Sequence, residues 1–211
     1  MLNYIMSNHK YSFKLILLGD ANVGKTTFTN LLVTDNLPTD YHSTIGVEFI
    51  SAVIELKDKQ KVKLMIWDTA GQERYRSITK AYFKDIIGVF LFFDLTNRES
   101  FNNIRYWYDK IKDEIDKTNG IIYIIGNKLD LVAERVVSNE DVLSFLDEIN
   151  TSNMIKYKEI SVIRDKKDVR DIYYEISEEI YLKIKEKTID VKNNDAIINI
   201  NYKDKKNKKC C

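Results

Sequence analysis

Cysteine is nearly absent from this 211-residue chain, which has only two, Cys210 and Cys211, as its last two residues. A bridge between neighbouring cysteines closes no useful loop, so we expect no disulfide bond to stabilise the fold. Long apolar runs are also missing. The longest, IIGVFLFF at 86–93, is far shorter than the roughly 18 residues that a membrane span needs. This run predicts a buried strand.

The chain has no excess of charge of either sign. Its 33 Lys and Arg residues balance 32 Asp and Glu residues, so we expect no nucleic acid among its partners. The first residues, MLNYIMSNHKY, lack the apolar core of a secretory signal, and Leu2 stands where N-myristoylation requires glycine. We therefore expect the protein to stay in the cytosol.

Strand-like and helix-like patterns alternate along the chain, which is typical of an α/β sheet. The strand-like runs are SFKLILL, VEFISAVIEL, KVKLMIW, IIGVFLFFDL and GIIYIIGN. The polar stretch KDKQ joins the second run to the third and predicts an antiparallel hairpin.

Helical spacing separates most of these runs, beginning with VGKTTFTNLLV. A capping box of Thr96 and Glu99 is predicted to open one helix that runs past Ile111, and Ser138 with Asp141 is predicted to open the next. The apolar face of the last helix is predicted to contain Val169, Ile172, Ile176, Ile180 and Ile184.

The motif GDANVGKT lies between the first predicted strand and the first predicted helix, and it matches GxxxxGKS/T in the context that this motif requires. Small loop residues let backbone N–H groups surround phosphates, and the helix N-terminus adds partial positive charge. Lys25 would reach the β and γ phosphates, and the Thr26 hydroxyl would bind Mg²⁺. A plain glycine turn with a solvated lysine is the alternative. The nucleotide-binding residues predicted here are Gly19, Asp20, Ala21, Asn22, Val23, Gly24, Lys25, Thr26 and Thr27.

A second signal is WDTAGQE, in which an apolar strand ends at Asp68. A carboxylate that binds a metal belongs at such a strand end. Gly71 can then bring its N–H to a γ-phosphate, and Gln72 is a candidate for orienting a water molecule. The DxxG pattern alone favours a turn, but beside a phosphate-binding loop it favours a catalytic site.

The motif GNKLD follows the next apolar strand and supplies Asn127, Lys128 and Asp130. Guanine presents N1–H and a 2-amino group on one edge and adenine presents neither, so Asp130 would accept both hydrogens and select guanine. Asn127 would serve guanine O6 and N7 and the local loop, while the Lys128 stem would cover the ring face. In isolation, NKLD fits a surface turn after a strand.

These motifs resemble the Rab family of small GTPases, in the Ras superfamily, from residue 12 to about residue 185. GDANVGKTT resembles the family's P-loop, STIGVEF its switch I and WDTAGQERYRSITKAYF its switch II, and LFFDLTNRESF and GNKLD follow in the family's order. STIGVEF and ERYRSIT favour Rab over Ras, Rho or Arf. The resemblance implies a P-loop NTPase of the α/β class. Its mostly parallel six-stranded sheet would have one antiparallel hairpin strand and helices on both faces.

The resemblance also implies GTP and GDP as ligands and Mg²⁺ as cofactor, with Thr26, Thr44 and Asp68 as metal ligands. Because Thr44 would also bind the γ-phosphate, switch I would sense the GTP state. Lys25 and Gln72 would be catalytic. The implied effector face includes Ile45, Gly46, Phe49, Trp67 and Tyr82. For the three aromatic residues, ordinary core packing is an equally good explanation.

Two loop positions depart from the family pattern. Ala21 replaces the glycine of Ras, and its methyl group would crowd the approach to Gln72. Leu37 falls where the family usually places an aromatic ring against the base edge. We hypothesise that Leu37 weakens nucleotide affinity and speeds exchange without changing the choice of guanine, which rests on Asp130.

The family's ETSAK motif becomes EISVI at 159–163. Ser161, Val162 and Ile163 therefore remain predicted nucleotide contacts, with the Val162 N–H directed at guanine O6. Ile163 replaces the usual lysine.

Periodicity fades after Lys187, so we predict an N-terminal extension at 1–11, a GTP-binding domain at 12–187 and a flexible hypervariable tail at 188–211. The tail contains KDKKNKK, and its Cys-Cys ending resembles the Rab terminus in which both thiols are geranylgeranylated. Two lipid chains hold a membrane stably where one does not, and lysines near an anionic leaflet add about 1 kcal/mol each. An unstructured tail with incidental cysteines is the alternative.

This resemblance predicts a GTP/GDP-cycling switch in vesicle trafficking, located on the cytoplasmic face of an intracellular membrane with a cytosolic pool. Its implied partners are an exchange factor, a GTPase-activating protein, effectors, the prenylation machinery, a prenyl-binding chaperone and the membrane surface. Two other functions stay open. One is a scaffold that binds guanine nucleotide without cycling, and the other is a soluble Ras-like switch outside membrane traffic.

Overall fold

A computed structural model of the protein describes residues 9–34, 36–37, 44–71, 80–149 and 155–189. Within these ranges, one sheet contains six strands in the order β2-β3-β1-β4-β5-β6. The strands are β1 (Tyr11–Gly19), β2 (Val47–Glu55), β3 (Lys61–Thr69), β4 (Gly88–Asp94), β5 (Ile121–Asn127) and β6 (Ile155–Glu159). The β2–β3 pair is antiparallel and every other neighbouring pair is parallel. The predicted fold class and hairpin are confirmed.

Helices connect these strands and cover both faces of the sheet. They are α1 (Lys25–Thr34), α2 (Lys80–Phe83), α3 (Arg98–Asn102), α4 (Ile104–Thr118), α5 (Asn139–Ile149) and α6 (Lys166–Lys185), with a 3-10 turn at Val132–Glu134. In the part of the chain that the structure describes, no helix combines the length and apolar character needed to cross a membrane.

Two apolar cores lie on opposite faces of the sheet because successive side chains of a strand point to opposite faces. Leu15 of β1 belongs to the first core, which α1 and α6 cover, whereas Ile16 belongs to the second, which α3, α4 and α5 cover. Phe28 and Tyr173 are fully buried in the first core, and Trp107 is 2% exposed in the second. All five residues predicted for the apolar face of α6 are buried, so that prediction is confirmed.

The predicted capping box of Thr96 and Glu99 is wrong. The Asp94 carboxylate accepts hydrogen bonds from the Thr96 N–H at 2.8 Å and from the Thr96 hydroxyl at 2.7 Å. A charged acceptor therefore engages that hydroxyl, and the helix is capped one residue later. Asn97 is the N-cap of α3, and its side-chain oxygen accepts from the Ser100 N–H at 3.1 Å.

The helix predicted to follow Thr96 is divided into α3 and α4, whereas the predicted start of α5 at Ser138 is confirmed. Asn103 separates α3 from α4, so no continuous helix runs from the first cap past Ile111. At the start of α5, the Ser138 N–H donates to the Asp141 carboxylate at 2.8 Å and the Asp141 N–H donates to the Ser138 hydroxyl at 3.2 Å. That reciprocal pair is the predicted capping box.

The sixth strand, β6, is the one that the hydrophobic pattern does not locate. Its sequence IKYKE is mostly polar, because β6 is an edge strand that pairs only with β5. At the end of the domain, Ile189 is 2% exposed and packs in the first core, so the packed region extends past the predicted boundary at Lys187. Residues 1–8 and 190–211 lie outside the described residues.

Tyr173 provides a test of this packing. Its ring stacks on Phe28 with centroids 4.7 Å apart, and among the described residues its buried hydroxyl has no hydrogen-bond partner. The nearby Thr29 hydroxyl donates instead to the Lys25 carbonyl at 3.2 Å. Because an unpaired buried polar group costs roughly 1–3 kcal/mol, we expect Tyr173→Phe to keep the free energy of unfolding or raise it by about 1 kcal/mol.

Tyr123→Phe is the matched control, since the Tyr123 hydroxyl donates to Glu179 at 3.2 Å. Its removal should lower the free energy of unfolding by about 1 kcal/mol. Chemical denaturation of both variants at one saturating GDP concentration makes the comparison. A larger loss in Tyr173→Phe than in Tyr123→Phe would contradict the assignment.

Candidate functional site

A cavity of about 390 Å³ lies where the loops after β1, β3, β5 and β6 meet. Its volume suits a small-molecule ligand. Residues predicted to bind nucleotide line most of it: Ala21, Asn22, Gly24, Lys25, Thr26, Thr27, Thr44, Gly71, Asn127, Lys128, Asp130, Val162 and Ile163. Thr69 and Leu131 also line it and were not predicted, although each directly follows a predicted aspartate.

The other predicted residues in the described ranges stand behind this lining and hold it in place. Gly19 and Asp20 accept hydrogen bonds from Lys25, Val23 accepts one from Asn127, Asp68 accepts one from Thr26, and Ser161 donates one to Asp130. The motifs therefore supply both the wall of the cavity and its support. Gln72, Cys210 and Cys211 lie outside the described residues.

Lys25, the first residue of α1, is a buried cation at 5% exposure. Its ammonium donates to the carbonyl oxygens of Gly19 at 2.9 Å and Asp20 at 2.7 Å. Burial lowers the pKa of Lys25 to about 8, and the Asp68 and Asp20 carboxylates oppose that shift. An ammonium held mainly by neutral carbonyls beside an open cavity favours an anionic ligand.

Asp68 lies near the end of β3 and is fully buried. Its Oδ2 accepts from the Thr26 hydroxyl at 2.5 Å, and the Thr44 hydroxyl lies 2.7 Å from the same Thr26 oxygen. Among the described residues, its buried Oδ1 has no hydrogen-bond partner. Burial raises the pKa of Asp68 to about 6, which the Thr26 hydrogen bond and Lys25 oppose.

These three residues fit a hard divalent cation. A buried carboxylate with an unpaired oxygen favours a bound positive charge, and the two adjacent hydroxyls are oxygen ligands of the kind that Mg²⁺ prefers. Thr26, Thr44 and Asp68 are therefore brought together as the sequence predicted, at distances that suit a shared ligand.

Asn127, at the end of β5, joins two loops that lie far apart in the sequence. Its Nδ2 donates to the Val23 carbonyl at 2.8 Å, and its Oδ1 accepts from the Val162 N–H at 3.0 Å. The Val162 N–H, which the sequence predicts can reach guanine O6, therefore donates to Asn127 in this structure. A Cβ on Gly24 would lie 2.2 Å from the Asn127 Nδ2, so glycine leaves room for this bridge.

Asp130 and Lys128 are held on either side of the same loop. The Ser161 hydroxyl donates to one Asp130 oxygen at 2.6 Å, and the Arg164 guanidinium lies 3.9 Å from the other. Lys128 has φ +67°, and its ammonium pairs with Asp94 at 2.5 Å. With its charge engaged, Lys128 presents an aliphatic stem to the cavity.

Ile163 and Leu131 make this end of the cavity partly apolar. Ile163 is 49% exposed and stands where the family usually has a lysine. Leu37 is not among the cavity-lining residues, and it packs instead against the first core. Its side chain therefore has a packing role in this structure.

The predicted effector-face residues differ in exposure. Ile45 is 82% and Phe49 is 54% exposed, so core packing does not explain Phe49. Trp67 and Tyr82 are partly buried against the second core, and the Trp67 ring meets Phe49 edge-on with centroids 4.9 Å apart. The Gly46 carbonyl accepts from the Ala70 N–H at 2.8 Å, which links the two predicted switch segments.

The fold and this site together define a P-loop nucleotide-binding protein. A lysine and a threonine begin the helix after β1, an aspartate lies at the end of β3, and the NKLD side chains follow β5.

Comparison with known proteins agrees with this class. The sequence profile of the Ras family matches residues 14–182. The chain is 37% identical over 190 residues to Ras-related protein RABA1f of Arabidopsis thaliana, covering 90% of this chain and 84% of that protein. It is 37% identical over 191 residues to Ras-related protein Rab11B of Nicotiana tabacum, with 90% and 85% covered. It is 36% identical over 180 residues to Ras-related protein Rab-39A of Mus musculus, with 83% and 80% covered.

The chain belongs to the Ras family and, within it, is a small GTPase of the Rab type. It is therefore an enzyme that binds guanine nucleotide and hydrolyses GTP, and it acts with regulators and effectors.

The Asn127 bridge gives a testable expectation. Asn127→Ala leaves the Val23 carbonyl and the Val162 N–H without their partner, at a cost of roughly 1–3 kcal/mol for each buried group. We expect GDP to dissociate at least about tenfold faster, because both loops lose their link. Release of a fluorescently labelled GDP measures this rate.

Asn139→Ala is the control for that experiment. The Asn139 side chain is exposed and accepts one bond from Arg135 at 2.8 Å, away from the cavity. Its GDP release should match that of the unaltered protein. Equal release rates in the two variants would show that the bridge does not hold the nucleotide.

Proposed function

We propose that the protein is a membrane-anchored switch that cycles between GTP and GDP and regulates intracellular vesicle trafficking through GTP-dependent effector binding. The observation that carries this proposal is the convergence on one cavity of an anion-seeking lysine, a cation-seeking aspartate and the NKLD side chains. A guanine nucleotide bound together with Mg²⁺ would engage all three groups at once.

Guanine recognition rests on Asp130 in this proposal. The Ser161 hydroxyl donates to the Asp130 carboxylate and orients it. The carboxylate would then accept the N1–H and 2-amino hydrogens of guanine. The Lys128 stem would cover one face of the ring, and Ile163 would add apolar contact where the family has a lysine. Asn127 would act mainly by holding the two loops around the base.

Phosphate binding rests on the loop before α1. Its backbone N–H groups and the α1 N-terminus would surround the phosphates, and Lys25 would exchange part of its carbonyl contacts for the β and γ phosphates. Thr26, Thr44 and Asp68 would hold Mg²⁺. When bound, Mg²⁺ supplies positive charge that offsets the charge of the phosphates.

Hydrolysis would proceed by in-line attack of a water molecule oriented by Gln72, while Lys25 and the loop N–H groups stabilise charge on the transferred phosphoryl group. Among the residues that line the described cavity none is an arginine. Intrinsic turnover should therefore be slow, and a GTPase-activating protein would supply a factor of roughly 10³ to 10⁵ by adding the missing charge. The slow step makes the GTP state a timer.

Gln72→Leu tests the catalytic assignment. Leucine occupies similar volume without a group that can orient water, so we expect single-turnover GTP hydrolysis to fall by about a hundredfold while GDP affinity stays unchanged. Rapid quench with radiolabelled GTP measures the rate. Normal hydrolysis by this variant would remove Gln72 from the mechanism, and absence of hydrolysis in the unaltered protein would favour a non-cycling scaffold.

Switching would act through Thr44. The γ-phosphate would hold Thr44 only in the GTP state, and the contacts of Thr44 with Thr26 and of Gly46 with Ala70 support a coupled movement of both switch segments. The exposed Ile45 and Phe49, with Trp67 beside them, form the proposed effector face.

Membrane attachment would use the tail at 188–211. Geranylgeranylation of Cys210 and Cys211 by the prenylation machinery would supply two lipid chains, and the lysines of KDKKNKK would add attraction to an anionic leaflet. A prenyl-binding chaperone would maintain a cytosolic pool. An exchange factor would return the switch to its GTP state on the cytoplasmic face of the membrane.

Membrane fractionation tests the anchor. Replacing both Cys210 and Cys211 with serine removes both lipid acceptors, so the protein should move from the membrane pellet to the soluble fraction, with no change in GDP affinity. Mass spectrometry of the C-terminal peptide checks the modification directly. Retention of the double variant on membranes would contradict lipid anchoring through these thiols.

A further inference from the structure

Asp20 does not line the cavity, and both of its carboxylate oxygens are bound by side chains next to or within α4. Asn103 Nδ2 donates to Oδ2 at 2.6 Å, and Trp107 Nε1 donates to Oδ1 at 3.0 Å. Trp107 is fixed in the second core. Asn103 is the N-cap of α4 but has helical backbone angles and makes no side-chain capping bond, and its Nδ2 donates to Asp20 instead.

The peptide between Asp20 and Ala21 is also the contact point for two groups of the site. Its carbonyl oxygen accepts from the Lys25 ammonium at 2.7 Å. Gly71 packs directly against it, since a Cβ on Gly71 would lie 2.2 Å from the Asp20 carbonyl carbon and 2.3 Å from the Ala21 nitrogen. The position of this peptide therefore sets how closely the segment after β3 approaches the phosphate loop.

A carboxylate at the start of a phosphate loop opposes anion binding unless it is turned away and compensated. Among the described residues two donors compensate it, and hydrogen bonds to a charged group are stronger than those between neutral groups. One donor belongs to a fully packed indole, so the core helps to set the direction of the Asp20 side chain.

We propose that Asn103 and Trp107 are positioning residues that act through Asp20 to fix the peptide on which Gly71 closes, and so raise the preference for GTP over GDP. The inference rests on the proposed contact of Gly71 with the γ-phosphate. The helix α4 thereby contributes to nucleotide-state preference although it does not line the cavity.

The test compares the affinities for GDP and for the non-hydrolysable GTP analogue GppNHp in the full chain. Asp20→Asn removes the charge, and Asn103→Asp places a second carboxylate against Asp20. Asn103→Asp should lower the GppNHp preference by about tenfold, the scale of one charge-assisted bond, whereas Asp20→Asn should lower it by less than about threefold, because its amide can still donate to the Asn103 side-chain oxygen and accept from Trp107. Combining Asp20→Asn with Asn103→Asp exchanges donor and acceptor, since the new amide can donate to the new carboxylate and still accept from Trp107. The double variant should return to within about threefold of the unaltered protein.

Asn102→Asp is the matched control, because it makes the same chemical change one residue earlier at an exposed position, and it should leave the preference unchanged. If Asn103→Asp fails to fold, Asn103→Leu keeps a side chain of similar size, removes the donor to Asp20 without opening a cavity in the core, and should lower the preference about fivefold. An equal loss of GDP and GppNHp affinity, or a double variant no better than Asn103→Asp alone, would overturn the proposal. Affinity ratios need no turnover, so a failure of the proposed hydrolysis would appear separately.

Discussion

The parallel register of β1 with its neighbours β3 and β4 determines where the groups of the site lie. Leu17 pairs with Asp68, and Gly19 pairs with Phe92, so β1 delivers the phosphate loop to the edge where β3 delivers its carboxylate. The next pairing aligns Asp94 with Asn127 at the same edge. A slip of one residue would exchange the apolar side chains of β1 between the two cores, and the close packing of differently shaped side chains in each core opposes that exchange.

That frame holds charges that the protein alone does not balance. Lys25 is buried with carbonyl partners, and Asp68 is buried with one oxygen unpaired among the described residues. Burial lowers the pKa of Lys25 and raises the pKa of Asp68, so it favours the neutral form of each side chain. An oppositely charged partner beside either group would favour its charged form again. A phosphate chain and a divalent cation together supply what each lacks. The free-energy cost of burying Lys25 and Asp68 in the empty site would therefore favour binding of a phosphate chain together with a divalent cation.

Sequence alone located the parts of the site that lie within contiguous motifs. The loop with Lys25 and Thr26, the end of β3 and NKLD each contain both the functional group and the turn that presents it, so short-range pattern was sufficient. The capping box at Ser138 and the apolar face of α6 were predictable for the same reason.

What sequence did not predict depends on contacts between distant segments. The hydrogen bond between Asn127 and the Val162 N–H joins residues 35 positions apart in the sequence, and the one between Trp107 and Asp20 joins residues 87 positions apart. No local pattern encodes either bond, because each exists only after the sheet has formed. The strand β6 was missed for a related reason: at an edge, it needs few apolar residues, so its sequence carries little periodic signal.

The link between the cavity and the exposed aromatic surface is short. Asp68 and Trp67 are adjacent on β3, and Trp67 is paired across the hairpin with Phe49. Successive side chains of a strand point to opposite faces, so the Asp68 carboxylate meets Thr26 on one face while the Trp67 indole meets the exposed Phe49 ring on the other. We therefore expect a movement of β3 at Asp68 to displace the Phe49 and Trp67 pair. The antiparallel β2–β3 hairpin therefore places the exposed Phe49 ring beside Trp67, which is the neighbour of Asp68 in the sequence.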